Sequence, residues 1–150
     1  MKRNLLITLV VITFFSLAFF GFKTFVTSIY NQRDCEFANI DNIEVNVGID
    51  IPSIENTSCN YDEFKIQKSV YFKFDKKVNI QDYCKSYQFK NMKSSDLDKF
   101  KDLDFVGNNL PFKDEFNNYY YKSENRRSNF YNAILNADTK ELWIVISFKD

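Results

Sequence analysis

The uncharged run Leu5–Phe22, LLITLVVITFFSLAFFGF, constrains this chain more than any other stretch. Its eighteen residues, wound into a helix rising about 1.5 Å each, reach roughly 27 Å, close to the roughly 30 Å hydrocarbon layer of a bilayer. A spanning helix is therefore physically adequate. Lys2 and Arg3 precede the run and no acid does, so the positive-inside bias keeps the N-terminal tail in the cytoplasm and sends the remainder across. A cleaved signal peptide competes with this reading, but its apolar core is normally about 7–15 residues long and ends at a small-residue site. Here the run is longer; Ser16-Leu17-Ala18 lies inside it and Val26-Thr27-Ser28 fits only loosely beyond it. The expected placement is thus a single-pass protein of the inner or plasma membrane, with a secreted chain as the alternative.

Past the run, Lys23 can extend its ammonium to the headgroups while Phe25, Val26, Ile29 and Tyr30 prolong an apolar helical face. The helix is expected over 1–31, with 32–42 as a short polar tether that holds the rest close to the bilayer. A total of 150 residues leaves room for one further domain, 43–150, and not for two.

Composition narrows the chemistry of that domain. Beyond the run the chain carries 18 basic against 20 acidic residues, a balance without the basic stripe that nucleic acid requires. No nucleic-acid partner is expected. Histidine is absent, which removes the commonest general base, activator of nucleophiles and metal ligand together. Asp96, Asp98, Asp102 and Asp104 alternate with Lys99 and Lys101 and lack calcium-loop spacing, so they read as a solvated face. Asp138 and Glu141 have no paired-acid spacing, and Arg126-Arg127 reads as a solvent-exposed pair. No catalytic residue, metal or cofactor is expected, and the protein is read as a binder.

Hydrophobic period gives the elements. Ile43, Val45, Val47, Ile49 and Ile51 alternate with polar residues, predicting a first strand that Pro52 ends; Ser53–Asp62 is expected as a loop. Lys68–Asp75 alternates again, with Val70, Phe72 and Phe74 on one side. Asn79 can cap a helix whose Ile80, Tyr83, Cys84 and Tyr87 share a face, and Ser95 with Asp98 marks a second short helix. Gly107–Pro111 is a predicted loop, followed by a strand around Tyr119–Tyr121 and a connection through Ser123 to Arg127. Phe130–Asn136 and Glu141–Phe148 flank the turn Ala137–Lys140. An even register pairs Leu135 with Leu142, Ala133 with Ile144 and Tyr131 with Ile146, making one face continuous. The fold class is α+β: a transmembrane helix, then an antiparallel sheet of about five strands with two short helices on one face.

Three cysteines in an exported chain leave one unpaired. Cys84 shares the apolar helix face and Cys35 and Cys59 lie in polar stretches, so the expected disulfide is Cys35–Cys59. The second face of the hairpin bears Phe130, Ile134, Trp143 and Val145, too apolar for a solvated surface. Either another segment covers it, or Trp143, Phe130 and Ile134, with Tyr71, form an exposed platform for a protein partner. The expected function is a membrane-anchored extracytoplasmic binding module, in its most concrete form an inhibitor or immunity protein of the bacterial envelope. The alternative is an accessory structural subunit of a membrane assembly; the run offers only Ser16, Ala18 and Gly21 for close helix packing.

Overall fold

The computed structural model of the chain describes residues 2–30, 33, 35, 39–100, 103, 105, 118–126 and 129–149. Helix α1 runs over Lys2–Tyr30, and within it Ile7–Thr27 is long and apolar enough to cross a membrane or to serve as a signal sequence, with mean hydropathy 2.0 and no part buried. Every large side chain described between Ile7 and Phe22 faces outward. A helix apolar all round and unburied has the character of a membrane span or a signal sequence.

The second helix, α2 (Asn39–Val47), occupies the place where alternation predicts a strand. Ile43 and Val47 fit a helical spacing as well as the two-residue one, Ile40 fits only the helical one, and Ile43 and Val47 are buried on that basis. Gly48 decides between the two. At φ +76° it accepts the left-handed turn that ends a helix, and its N–H donates to Glu44 O at 3.0 Å. Of the predicted tether 32–42, positions 32, 34 and 36–38 lie outside the described residues, and its last four positions belong to α2.

Strand β1 (Ile54–Asp62) replaces the predicted loop. β2 spans Gln67–Phe74 and α3 Ile80–Ser86, where the Asn79 side chain accepts from the Gln81 and Asp82 N–H groups as an N-cap. β3 is the pair Lys90–Asn91, and Ser94–Lys99 is a 3-10 helix that starts slightly before the predicted one. Asp96 closes its first turn by accepting from the Lys93 N–H. The loop expected at Gly107–Pro111 lies outside the described residues. β4 (Tyr119–Arg126), β5 (Asn129–Asn136) and β6 (Glu141–Ser147) complete the sheet. β4 is longer than predicted and takes in the stretch from Ser123 that was expected as a connection.

All six strands pair antiparallel in the order β1-β2-β6-β5-β4-β3. The β5–β6 hairpin holds the register that its apolar face requires: Leu135 opposite Leu142, Ala133 opposite Ile144, Tyr131 opposite Ile146. Asn136 fixes its turn by accepting from the Asp138 and Thr139 N–H groups at 2.9 and 3.1 Å. One sheet face, with Val70, Phe72, Phe74, Tyr131, Leu135, Leu142 and Ile144, is covered by α2 and α3. On the other, Trp143, Ile134 and Val145 pack under Met92, Phe100 and Phe105. The two predicted short helices thus divide between the faces, and the sheet has two cores.

Candidate functional site

The hairpin's second face closes on itself. Trp143 keeps 8% of its surface exposed and Ile134 none, because Phe100 and Phe105 fill the space above them. Trp143 and Ile134 therefore cannot form an exposed platform; they are core, as an apolar face under a covering segment must be. Tyr71 sits at the margin, its ring 5.7 Å from that of Trp143. Its hydroxyl donates to Glu141 Oε1 at 2.9 Å, and burial first, then the Glu141 carboxylate, push its pKa up to about 12. Lys73 completes this surface pair, 3.7 Å from Glu141. Phe130 stands on the same sheet face but four residues from Ile134 along β5, and it remains partly exposed. The four predicted contact residues are thus divided between two buried positions, one marginal position and one exposed end.

The other polar candidates are tied into local structure. Asp96 Oδ1 accepts from Lys99 at 2.7 Å, and its pKa is lowered chiefly by that bond. Asp138 accepts from Asn118 at 2.6 Å. Arg126 donates through Nη1 to Val47 O at 3.2 Å, bracing the end of α2 instead of waiting for an acidic ligand; Arg127 lies outside the described residues. Among the described residues no cluster of three or more metal-ligating side chains occurs. Cys84 is free and buried, and burial pushes its thiol up to about 12, the opposite of what a nucleophilic thiolate requires.

What the fold does assemble is a junction between α1 and the sheet. Cys35 and Cys59 form a disulfide with Cα atoms 5.4 Å apart, as their positions in the sequence predict. The Arg33 guanidinium carbon lies 5.7 Å from the ring centres of both Tyr61 and Phe148, a cation held over two aromatic faces. α1 itself packs on α2. α2 is in turn fixed across the sheet: at one side the buried Lys68 ammonium donates to Asn42 Oδ1 at 2.9 Å, and at the other Arg126 reaches Val47 O. Lys68 begins β2, Arg126 ends β4 and Phe148 follows β6, so all of these contacts gather at one end of the sheet. The β1–β2 hairpin tip, Glu63–Ile66, is at that end too.

A cavity of about 370 Å³ opens beside the disulfide, lined by Cys35, Asn39, Ile40, Asp41, Thr57, Ser58 and Cys59. Amide, hydroxyl and carboxylate groups give it hydrogen-bonding capacity without an acid-base pair, and Asn39 Oδ1 is buried there without a hydrogen-bond partner. β1 forms one wall and is also an edge of the sheet. Among the described residues no strand pairs with its outer side; the Thr57 N–H donates to Asn56 Oδ1 at 2.8 Å, and the exposed Glu55, Asn56, Thr57 and Asn60 discourage indiscriminate pairing. Sequence reasoning missed this edge because a polar strand with little burial carries no alternation. Comparison with protein-family models, curated proteins and solved structures finds no match to this chain.

Proposed function

We propose that the chain is a single-pass, membrane-anchored binding protein with its N-terminus in the cytoplasm and its α+β head outside it. The observation that carries this reading is the coupling of an apolar helix, Ile7–Thr27, to a head stapled by a disulfide only eight positions further on, at Cys35. A disulfide persists in an oxidising compartment, Lys2 and Arg3 favour the same orientation, and the junction confines the head to a thin layer over the bilayer. Confinement raises local concentration, so a modest affinity for a neighbouring protein suffices. With the hairpin's second face occupied by core, β1 is the surface this reading assigns to the partner: an extended segment adds to the sheet edge through main-chain hydrogen bonds. In its most concrete form the head is an inhibitor or immunity protein that occludes an attacker arriving in the envelope.

Protease added to intact spheroplasts tests the orientation. It should remove the head and leave a short membrane-retained fragment, whereas protection until lysis places the head in the cytoplasm and ends the proposal. Recovery of the head in the medium without α1 supports the signal-sequence alternative. For partner binding, a proline at Thr57 removes a main-chain donor from β1 and should abolish crosslinking to envelope neighbours in cells. Unchanged crosslinking excludes edge pairing.

A further inference from the structure

The described head exposes two large apolar side chains, Phe64, completely, and Phe130, by 37%. Every other large apolar side chain exposed to that degree belongs to α1. The two are not scattered. Phe64 caps the β1–β2 turn, and Phe130 opposite Ser147, itself opposite Gln67, begins β5 at the same end of the sheet. That end is where Arg33, Cys35 and α2 tie the sheet to α1.

Chain length sets how far this end can stand from the bilayer. Arg33 is three chain steps beyond Tyr30, the last residue of α1, a reach of at most roughly 10 Å. Tyr30 in turn lies three helical residues, about 4.5 Å, past Thr27, where the apolar stretch ends. Arg33 touches Tyr61, and Tyr61 is three residues before Phe64. These short steps permit the hairpin tip to touch the headgroup layer, which is several ångströms thick on each side of a bilayer, without themselves fixing it there.

The turn holds Phe64 outward. Asp62 Oδ1 accepts from the Phe64 and Lys65 N–H groups at 2.8 and 3.1 Å, which uses the carboxylate to shape the loop. The flanking exposed charges, Glu63 and Lys65, are of opposite sign. Attraction to anionic lipid is therefore not the driving interaction; insertion of an aromatic ring among headgroups is. We infer that this end of the sheet is a second membrane contact, in which Phe64 docks on the leaflet that α1 enters, with Phe130 at the same end but on the sheet face away from the Arg33 junction. The inference rests on the reading of α1 as a retained anchor, and it fixes the tilt of the head so that the β1 edge stands upright over the surface.

The full chain with an environment-sensitive fluorophore on a single introduced cysteine tests this. Phe64→Cys reports the tip, Phe15→Cys the span, and Lys77→Cys the far end of β2; the unsubstituted chain, whose Cys84 is buried, supplies the blank. Each is reconstituted in phosphatidylcholine vesicles with plain or brominated acyl chains, and the emission of Trp143 certifies the fold. The expected result is blue-shifted emission at position 64, quenched by bromine to an extent between the strong loss at 15 and the absence of loss at 77. Quenching at 15 with a water-like, unquenched label at 64 overturns the docking and leaves the anchor standing, as it would if Phe64 serves a protein partner instead. No quenching at 15 overturns the anchor, and the docking with it.

Discussion

Removing the Cys35–Cys59 disulfide should cost the head a large part of its stability. The bond closes a loop across a sequence separation of 24, and in the chain-entropy treatment a loop of that size restricts the unfolded state by about 3 kcal/mol. The loop contains the whole of α2, so without the bond the unfolded chain regains freedom over the segment that α1 packs against. For a domain of this size each kcal/mol moves Tm by roughly 4–8 °C, which gives a fall of about 12–24 °C. The measurement is a thermal melt of the doubly substituted Cys35→Ala, Cys59→Ala chain against the unsubstituted one, followed by the fluorescence of Trp143. That residue is the only tryptophan, and it is buried in the core opposite α2, so it reports global unfolding and not local fraying. Cys84 is unchanged in both chains, which removes free-thiol chemistry as a cause. A difference of only a few degrees would show that the folded junction gains as much freedom as the unfolded chain, and the entropic argument would fail.

Trp143→Ala should destabilise the head by about 3–5 kcal/mol while Phe130→Ala changes it by less than about 1 kcal/mol, a contrast that urea titration reads directly; equal effects would contradict the assignment of Trp143 to core. Gly48→Ala should cost about 1–3 kcal/mol in the same titration, because φ is +76° and the new Cβ would fall on the Arg126 guanidinium that braces Val47 O. Cys84 should resist maleimide in the native chain at neutral pH and react at once in denaturant, since burial favours the neutral thiol. Alkali should unfold the head: burial raises the Cys84 thiol from 9.0 and the Tyr71 phenol from 10.0, each to about 12. It also drives Tyr83 and Tyr131 upward. These groups ionise first in the unfolded chain, so their contribution is fully present below pH 9 and is lost as pH rises towards 12. A Tm independent of pH across that window would refute the burial of these groups.

The parts of the fold that were legible are those where burial acts on both sides of a strand pair. In the β5–β6 hairpin a one-residue slip would carry Leu135, Leu142 and Ile144 from one core to the other, so the sequence had to encode the register unambiguously. Cys84 and Tyr83 were legible for the same reason, since α3 presents a single apolar face to the sheet. The partner platform failed because a strand buried on both faces is apolar on both, and nothing in Trp143 or Ile134 themselves tells a covered face from a bare one. The answer lay in Met92, Phe100 and Phe105, which no local period connects to the hairpin.

The junction was harder to read because its elements draw stability from tertiary contacts more than from their own pattern. Isoleucine and valine at two-residue spacing favour a strand, and Ile43, Val45 and Val47 supply it, yet Ile43 and Val47 meet the sheet from a helix in which Asn42 receives the Lys68 ammonium and Arg126 holds Val47 O. One local sign opposed the strand: Gly48 in the middle of the alternation, where a glycine weakens a strand but completes a helix end. β1 offers no such sign. Apart from Ile54, Cys59 and Tyr61 it is polar, held on one side by β2 and by the bond to Cys35. A strand kept in place by pairing on one side and a covalent staple does not need apolar side chains to stay folded, and it can therefore offer its free edge without inviting aggregation. Under the proposed reading, the staple that makes β1 illegible in the sequence also serves to hold the edge ready for a partner. Reducing the disulfide should for this reason loosen the edge before the core, with hydrogen exchange rising first at Thr57–Asn60 while the amides of β5 and β6 remain protected. Simultaneous loss of protection in β1 and β6 would instead mean that the edge and the core are one cooperative unit.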